Sequence, residues 1–392
     1  MEYKFSDALA SLKPSAIREI LKNSGTSIPL SAGNPAPDAF PVSDLTEIIK
    51  KIMEEEPILA LQYGITEGYA PLRESLSVLA KDRYRAKSDN DSVIITSGAQ
   101  QIMSLMSQAF INEGDTVICE EPSFIGALNC FRANGARLRG VPVQKDGMDT
   151  DELEKALKEE KRAKFIYTIP NFQNPAGVTM SLEKREKIYN LAKEYGVIVL
   201  EDNPYGDTRT AGEEIDPIKS FDKDGTVVYA GSFSKIIAPG IRVGFTVAPK
   251  EIAAKLTVAK QTQDVHTPLL SQLLVYHWLK DYSIEEHVSK IKAIYKRKLN
   301  LLCDKLDELM SPYIEYEKPE GGLFVWVKLN DNIDMLQYCK KCSEAGVSVV
   351  PGTAFLTDDT APCQYIRLNF STPTDEGIVR GVELMKEVAL TF

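Results

Sequence analysis

The 392-residue sequence has no apolar run of about 18 residues, so no membrane-spanning helix is expected. Its start, MEYKFSDALASLKPSAIREIL, lacks the basic stretch and apolar core of a secretory signal, and the two absences together point to a cytoplasmic protein. Cysteine is sparse. Cys119, Cys130, Cys303, Cys339, Cys342 and Cys363 are scattered, which suggests reduced thiols rather than a disulfide framework. Cys339 and Cys342 have C-x-x-C spacing, but no second pair and no nearby histidine completes a zinc site, so they read as part of an amphipathic helix and no metal is expected. The three histidines, His266, His277 and His287, read as ordinary helix residues rather than catalytic groups. Positive charge is in deficit: 46 basic against 56 acidic residues leave a net charge of −10. That balance argues against general binding of nucleic acid or acidic membranes, yet leaves room for a locally positive site.

No low-complexity linker or short repeat divides the chain, and its length allows one large or two medium domains. The middle alternates short apolar runs (DSVIITSG, DTVICEE, AKFIYTIP, GVIVLEDN, GTVVYAGSFSK and RVGFTVAP) with helix-like stretches such as QQIMSLMSQAFINEG and SLEKREKIYNLAKEYG. That alternation predicts an α/β fold with a mostly parallel sheet sandwiched by helices. We place this large domain at residues 43–285, with Ser43 as a candidate helix cap. A smaller α+β domain follows at residues 286–392, and residues 1–42 form an arm joining it, with a helix over residues 15–22. A Pro-, Gly- and Asn-rich loop spans residues 31–41.

Ligands of open parallel sheets gather beyond the carboxyl ends of the strands, so the residues after each strand matter most. After VIIT, Gly98, Ala99 and Gln100 would open a helix with backbone N–H groups free for an anion. After FIYTIP comes Asn174, whose amide can serve a ligand hydroxyl. After VIVL comes Asp202, a carboxylate that is costly to bury unless paired. After VVYA come Ser232, Ser234 and Lys235, with Arg242 seven residues on; together they could hold a phosphate and leave an amine for chemistry. Singly, each has a plainer structural reading: a glycine turn, a turn dipeptide, a cap, a salt bridge. In this order they specify a ligand with a phosphate, a phenolic oxygen, a ring nitrogen and an aldehyde, which is pyridoxal 5′-phosphate.

From LQYGITEGYAPLRESL through SGAQQ, EEPSF, NFQNPAG, EDNPYG and GSFSK to YIRLNFS, the sequence resembles the class I/II aminotransferases, fold type I of the pyridoxal-phosphate enzymes. The resemblance is closest to the 2-aminoadipate, kynurenine and broad-range aromatic branch. It implies that Lys235 carries the cofactor as an aldimine and then moves the proton between Cα and C4′. It implies that Asp202 pairs with the ring nitrogen and that Asn174 and Tyr205 bond the 3′-oxygen. Gly98, Ala99, Gln100, Ser232, Ser234 and Arg242 would cup the phosphate. Phe124 would stack on the ring, and Arg367 would clamp the substrate α-carboxylate. Tyr63 would reach the phosphate of a neighbouring subunit, making a homodimer with shared active sites. Gly33 and Asn34 would line the substrate pocket, and Arg18 would serve an acidic side chain. Phe124 and Ala99 stand where tyrosine and serine are frequent in this branch, so each lacks a hydroxyl.

The reaction so implied moves an amino group from an aromatic, branched-chain or 2-aminoadipate-like L-amino acid to a 2-oxo acid such as 2-oxoglutarate, by a ping-pong mechanism. A C–S lyase or decarboxylase of the same fold would begin alike. Pyridoxal-phosphate-sensing regulators place a basic winged-helix domain ahead of such a domain, and this acidic chain starts the pattern almost at once. Ser232 to Lys235 also match the S-x-x-K of acyl-enzymes, but K-T-G is missing and the APG that follows disfavours the helix such a motif needs.

Overall fold

The valine- and isoleucine-rich runs become strands because their two faces can both be buried. In the structure, a computed structural model that describes residues 3–6, 12 and 27–392, eight strands form one sheet. These are β1 (Asp91–Thr96), β2 (Thr116–Glu121), β3 (Arg137–Gln144), β4 (Gly147–Met148), β5 (Ala163–Thr168), β6 (Ile198–Asn203), β7 (Val227–Ser232) and β8 (Gly244–Pro249). Their order across the sheet is β1-β8-β7-β6-β5-β2-β3-β4. β2, β3, β5, β6 and β7 are mutually parallel, β1 shares their direction, and only β8 and β4 oppose it. Successive strand residues serve opposite faces. Val117, Phe165, Leu200 and Val228 enter one core, and their neighbours Ile118, Ile166, Val199 and Val227 enter another. All eight are fully buried, each side chain contributing about 1.5–3 kcal/mol of hydrophobic stabilisation.

Several helices begin and end where their sequence directs. Helix Leu182–Tyr195 starts at Ser181, whose side chain accepts from Lys184 N–H, and stops at Gly196 in the left-handed region. Helix Ile284–Met310 starts at Ser283, which accepts from Glu286 N–H. Ser43 does not cap: helix Val42–Glu55 is preceded by Pro41 and no side chain bonds its first amides. His266 is no helix residue either; it lies in a bend after helix Lys250–Gln263, whereas His277 and His287 are helical.

A second sheet, in order β11-β12-β10-β9, joins β9 (Ile314–Tyr316), β10 (Phe324–Leu329), β11 (Val350–Pro351) and β12 (Tyr365–Asn369), all antiparallel. The chain at Ile28–Leu30 bonds to it and to the loop before it: Ile28 N–H to Gly346 O, Ser348 N–H to Ile28 O and Asn369 N–H to Leu30 O. The helix expected over residues 15–22, and Arg18 within it, lie outside the described residues. Among the described residues no helix is long and apolar enough to cross a membrane, and no cluster of metal-binding side chains forms.

Candidate active site

The carboxyl ends of β1, β5, β6 and β7 face a cavity of about 600 Å³. β8 completes its rim for a topological reason. Gly244, its first residue, pairs with Thr96 at the end of β1 and with Ser232 at the end of β7. Arg242, two residues earlier, is thereby set between the turns that follow those strands. It adopts φ 52°, ψ 47°, and its Nη2 donates to Ser97 O at 3.1 Å. Gly98 caps the helix Ala99–Phe110 at φ 78°. A Cβ there would stand 2.3 Å from Arg242 Nη2, so only glycine lets the guanidinium approach this helix N-terminus. Ser232 Oγ donates to Ser234 Oγ at 3.0 Å and accepts from Ser234 N–H at 3.1 Å. Two hydroxyls, a guanidinium and the start of a helix form a cradle suited to a phosphate.

Asp202 lies on β6 with its carboxylate fully buried. Tyr167 on β5 donates to Oδ2 at 2.9 Å, and Oδ1 has no partner. Burial without a counter-charge pushes this carboxyl up to about 7, against the opposing pull of the Tyr167 hydrogen bond. A protonated ring nitrogen is the group that would satisfy Oδ1 and restore the charge, so the residues fit a pyridoxal ring. Glu120, at the end of β2, is a second buried carboxylate, also raised to about 7 by desolvation, with Thr168, Ile169 N–H and Gln173 as donors.

Lys235 follows β7 by three residues, and its Nζ donates to Gly33 O at 2.8 Å. Desolvation, helped by the charges of Arg367 and Arg242, brings its amine down to about 8. Arg367, on β12, is fully buried and has no carboxylate partner among the described residues. Nη1 donates to Asn174 Oδ1 at 3.1 Å and Nη2 to Ser31 O at 2.9 Å, while Nε is unsatisfied. The rings of Phe324 and Phe355 lie 4.1 and 5.0 Å from its Cζ. Burial lowers this guanidinium to about 10, with Tyr205 acting in the opposite sense. A buried cation held by carbonyls and π-faces, without an anion, is an incomplete site for a carboxylate.

The expected residues therefore converge. Gly33, Asn34, Ala99, Gln100, Phe124 and Asn174 line the cavity, as do Asp202, Tyr205, Ser232, Ser234, Lys235, Arg242 and Arg367. Gly98 sits behind Arg242. Tyr63 stands apart, 82% exposed, its ring edge-on to His266 at 5.8 Å; it is not a core residue. The sequence reading passed over Met103, Ile125, Ile169 and Phe324, which supply apolar walls, and Tyr167, which anchors Asp202. Gly126 was missed as well: a Cβ on it would meet the Phe124 ring at 2.5 Å.

A family model described as Aminotransferase class I and II matches residues 26–384. The chain is 39% identical to an aromatic-amino-acid aminotransferase of Thermococcus litoralis, across 98% of this chain and 94% of the relative. Among solved structures, the kynurenine aminotransferase of Pyrococcus horikoshii in complex with PMP is 37% identical, with a TM-score of 0.94 and coverage of 99% and 97% of the two chains. The α-aminoadipate aminotransferase of Thermus thermophilus, complexed with N-(5′-phosphopyridoxyl)-L-leucine, is 34% identical, with a TM-score of 0.90 and the same coverage.

Proposed function

The chain belongs to the class I and II aminotransferases, and from that premise we propose that this pyridoxal-phosphate-dependent enzyme takes the amino group of a large, aromatic-type L-amino acid and passes it to a 2-oxo acid such as 2-oxoglutarate in a ping-pong cycle. The observation that carries the reading is the buried Arg367 guanidinium, which lines the same cavity as Lys235 and Asp202, has no carboxylate partner among the described residues and leaves its Nε unsatisfied. It matches the one group that every amino acid and every 2-oxo acid share, the carboxylate next to the reacting carbon. The apolar walls of Met103, Ile125, Ile169 and Phe324 suit an aromatic side chain.

Pyridoxal phosphate, when bound, supplies an aldehyde carbon and an aromatic ring that accepts the electron pair released at Cα. The protein's part is division of labour. The hydroxyls of Ser232 and Ser234, Arg242 and the amides at residues 98–100 hold the phosphate. Asp202, fixed by Tyr167, would keep a proton on the ring nitrogen. Asn174 and Tyr205 would bond the ring oxygen, and Phe124 would cover one ring face. Lys235, its amine brought down to about 8, would be deprotonated often enough to hold the cofactor's aldehyde carbon and to take the Cα proton. Arg367 orients the substrate so that its Cα–H faces Lys235.

Residues 43–285 act as the cofactor domain, and residues 286–392 with the 1–42 arm as the smaller one, a division supported by the bonds from Ile28 and Leu30 into the second sheet. The working unit is a cytoplasmic homodimer. Val42 on helix Val42–Glu55, Ile58 and Leu61 on helix Pro57–Leu61 and Tyr63 in the loop that follows are exposed large apolar residues, a surface suited to a second copy whose phosphate Tyr63 reaches. All six cysteines are free, in keeping with a reducing compartment. Arg18 remains the candidate for acidic side chains.

The test is a panel of L-amino acids with 2-oxoglutarate as acceptor, scored by glutamate formation. Aromatic donors should give the highest kcat/KM, and double-reciprocal plots at several acceptor concentrations should be parallel. Equal rates with small donors would refute the donor class, and intersecting lines would refute the ping-pong cycle.

A further inference from the structure

A half-buried ion pair lies next to the phosphate cradle without lining the cavity. Lys260, on helix Lys250–Gln263, has a fully buried side chain. Its Nζ donates to Gln101 Oε1 at 2.7 Å, to Asp264 Oδ1 and Oδ2 at 2.9 and 3.0 Å, and to Thr267 Oγ1 at 3.2 Å. Asp264 Oδ2 also accepts from Ser97 Oγ at 2.6 Å. Ser97 N–H in turn donates to the same Gln101 Oε1 at 2.8 Å, and Ser97 O accepts from Arg242 Nη2 at 3.1 Å. Ser97 is thus gripped at its amide, its hydroxyl and its carbonyl. It is the residue that precedes Gly98 and the helix opening onto the cavity.

The Lys260 ammonium, enclosed among four acceptor atoms, holds Gln101, Asp264 and Thr267 in fixed positions relative to one another. The loop carrying Asp264 is itself held tightly. Val265, β-branched, sits at φ 64°, and Val265 N–H and His266 N–H bond back to Lys260 O and Asp264 O. Among the described residues, the groups of this network that reach the cavity side are the turn that Ser97 opens, through Ala99 and Gln100, and Arg242. Among the described residues, Asp202, Asn174 and Tyr205, which face the ring end, share no bond with it.

We infer that Lys260 and Asp264 are positioning residues for the phosphate cradle: through Ser97 they fix the turn at residues 97–100 and Arg242 in the geometry that receives the phosphate, without touching it. The inference rests on the reading of the cavity as a pyridoxal-phosphate site. It requires an effect confined to phosphorylated ligands, whereas loosening of the fold would weaken every ligand alike.

The experiment compares dissociation constants of the apoprotein for pyridoxamine 5′-phosphate and for pyridoxamine, in wild type, Lys260→Met and Asp264→Asn. Neither ligand bonds covalently to Lys235, so the difference between them isolates the phosphate. Both variants should weaken pyridoxamine 5′-phosphate at least about tenfold, the scale of one lost charged hydrogen bond, and leave pyridoxamine within about twofold. If Lys260→Met does not fold, Asp264→Asn, which keeps an oxygen for the Ser97 hydroxyl, carries the same expectation. Equal weakening of both ligands, or unchanged binding of the phosphorylated one, overturns the inference. A wild type that binds the two ligands equally well would instead overturn the cofactor reading, and the inference with it.

Discussion

Replacing Asp202 by asparagine tests the cofactor reading with opposite effects in the two states of the protein. The amide keeps the shape of the carboxyl and an acceptor for Tyr167 but removes the charge. In the apoprotein the carboxyl is raised from 3.8 to about 7 by burial. An acid whose folded pKa is raised binds its proton more tightly in the folded state. Its stabilising contribution is full below about 4 and is lost as the pH rises through about 7, by up to about 4 kcal/mol. Asp202→Asn escapes that loss, so the variant apoprotein should melt higher than wild type at pH 8 and not at pH 4. With the cofactor bound the order reverses, because the charge that Asp202 would offer the ring nitrogen is gone. Breaking a buried ion pair costs about 3–5 kcal/mol. Expressed in the transition state, that is a loss of roughly 150- to 5,000-fold in the rate of Cα proton transfer. The assays are melting curves of apo- and holoprotein at both pH values, and single-turnover kinetics with one L-amino acid. A variant within fivefold of the wild-type rate, or an apoprotein less stable than wild type at pH 8, would refute the reasoning.

Lys235→Ala should abolish turnover with an unchanged melting temperature of the apoprotein. In wild type, cofactor attachment should accelerate up to pH of about 8 and then level, because a lysine at about 8 is roughly 10% neutral at pH 7 where an ordinary one is about 0.03%; a plateau reached only above pH 10 would contradict this. Arg367→Lys, which cannot grip a carboxylate with two donors, should lower kcat/KM for amino acid and 2-oxo acid alike by at least about 30-fold, measured at steady state. Gly98→Ala places a methyl against Arg242 and strains a positive φ, so equilibrium titration should show cofactor affinity falling while donor preference is kept.

Much of the fold could be read from the chain because the buried strands are unmixed apolar runs and their ends carry the polar chemistry. Asp202, Asn174 and Lys235 stand out by being polar at or after the end of a buried strand, and Arg242 by lying just before one. β3 escaped because RLRGVPVQ mixes charges with apolar residues and pairs only with β2 and the two-residue β4. The cavity walls escaped for a different reason. Phe324, Ile169 and Met103 look like any core residue in sequence, and only the meeting of two sheets separates a wall from a core. Arg367 was found by resemblance, but its aromatic clamp depends on Phe324 lying opposite Asn369 on the neighbouring strand β10, a matter of register. Ser43 misled because Pro41, not a hydroxyl, precedes the helix. Lys260 and Asp264 give no signal at all; an i, i+4 pair on a helix end normally reads as a solvated surface pair.

The most direct measurement of the central claim is a single half-reaction. The purified protein, loaded with pyridoxal phosphate, is mixed with an aromatic L-amino acid and no 2-oxo acid, and the cofactor's absorbance and the released product are followed together. Conversion of the aldehyde form to the amine form, with one 2-oxo acid released per subunit and reversal on adding 2-oxoglutarate, is the predicted result. Consumption of the amino acid with the aldehyde form unchanged would contradict it.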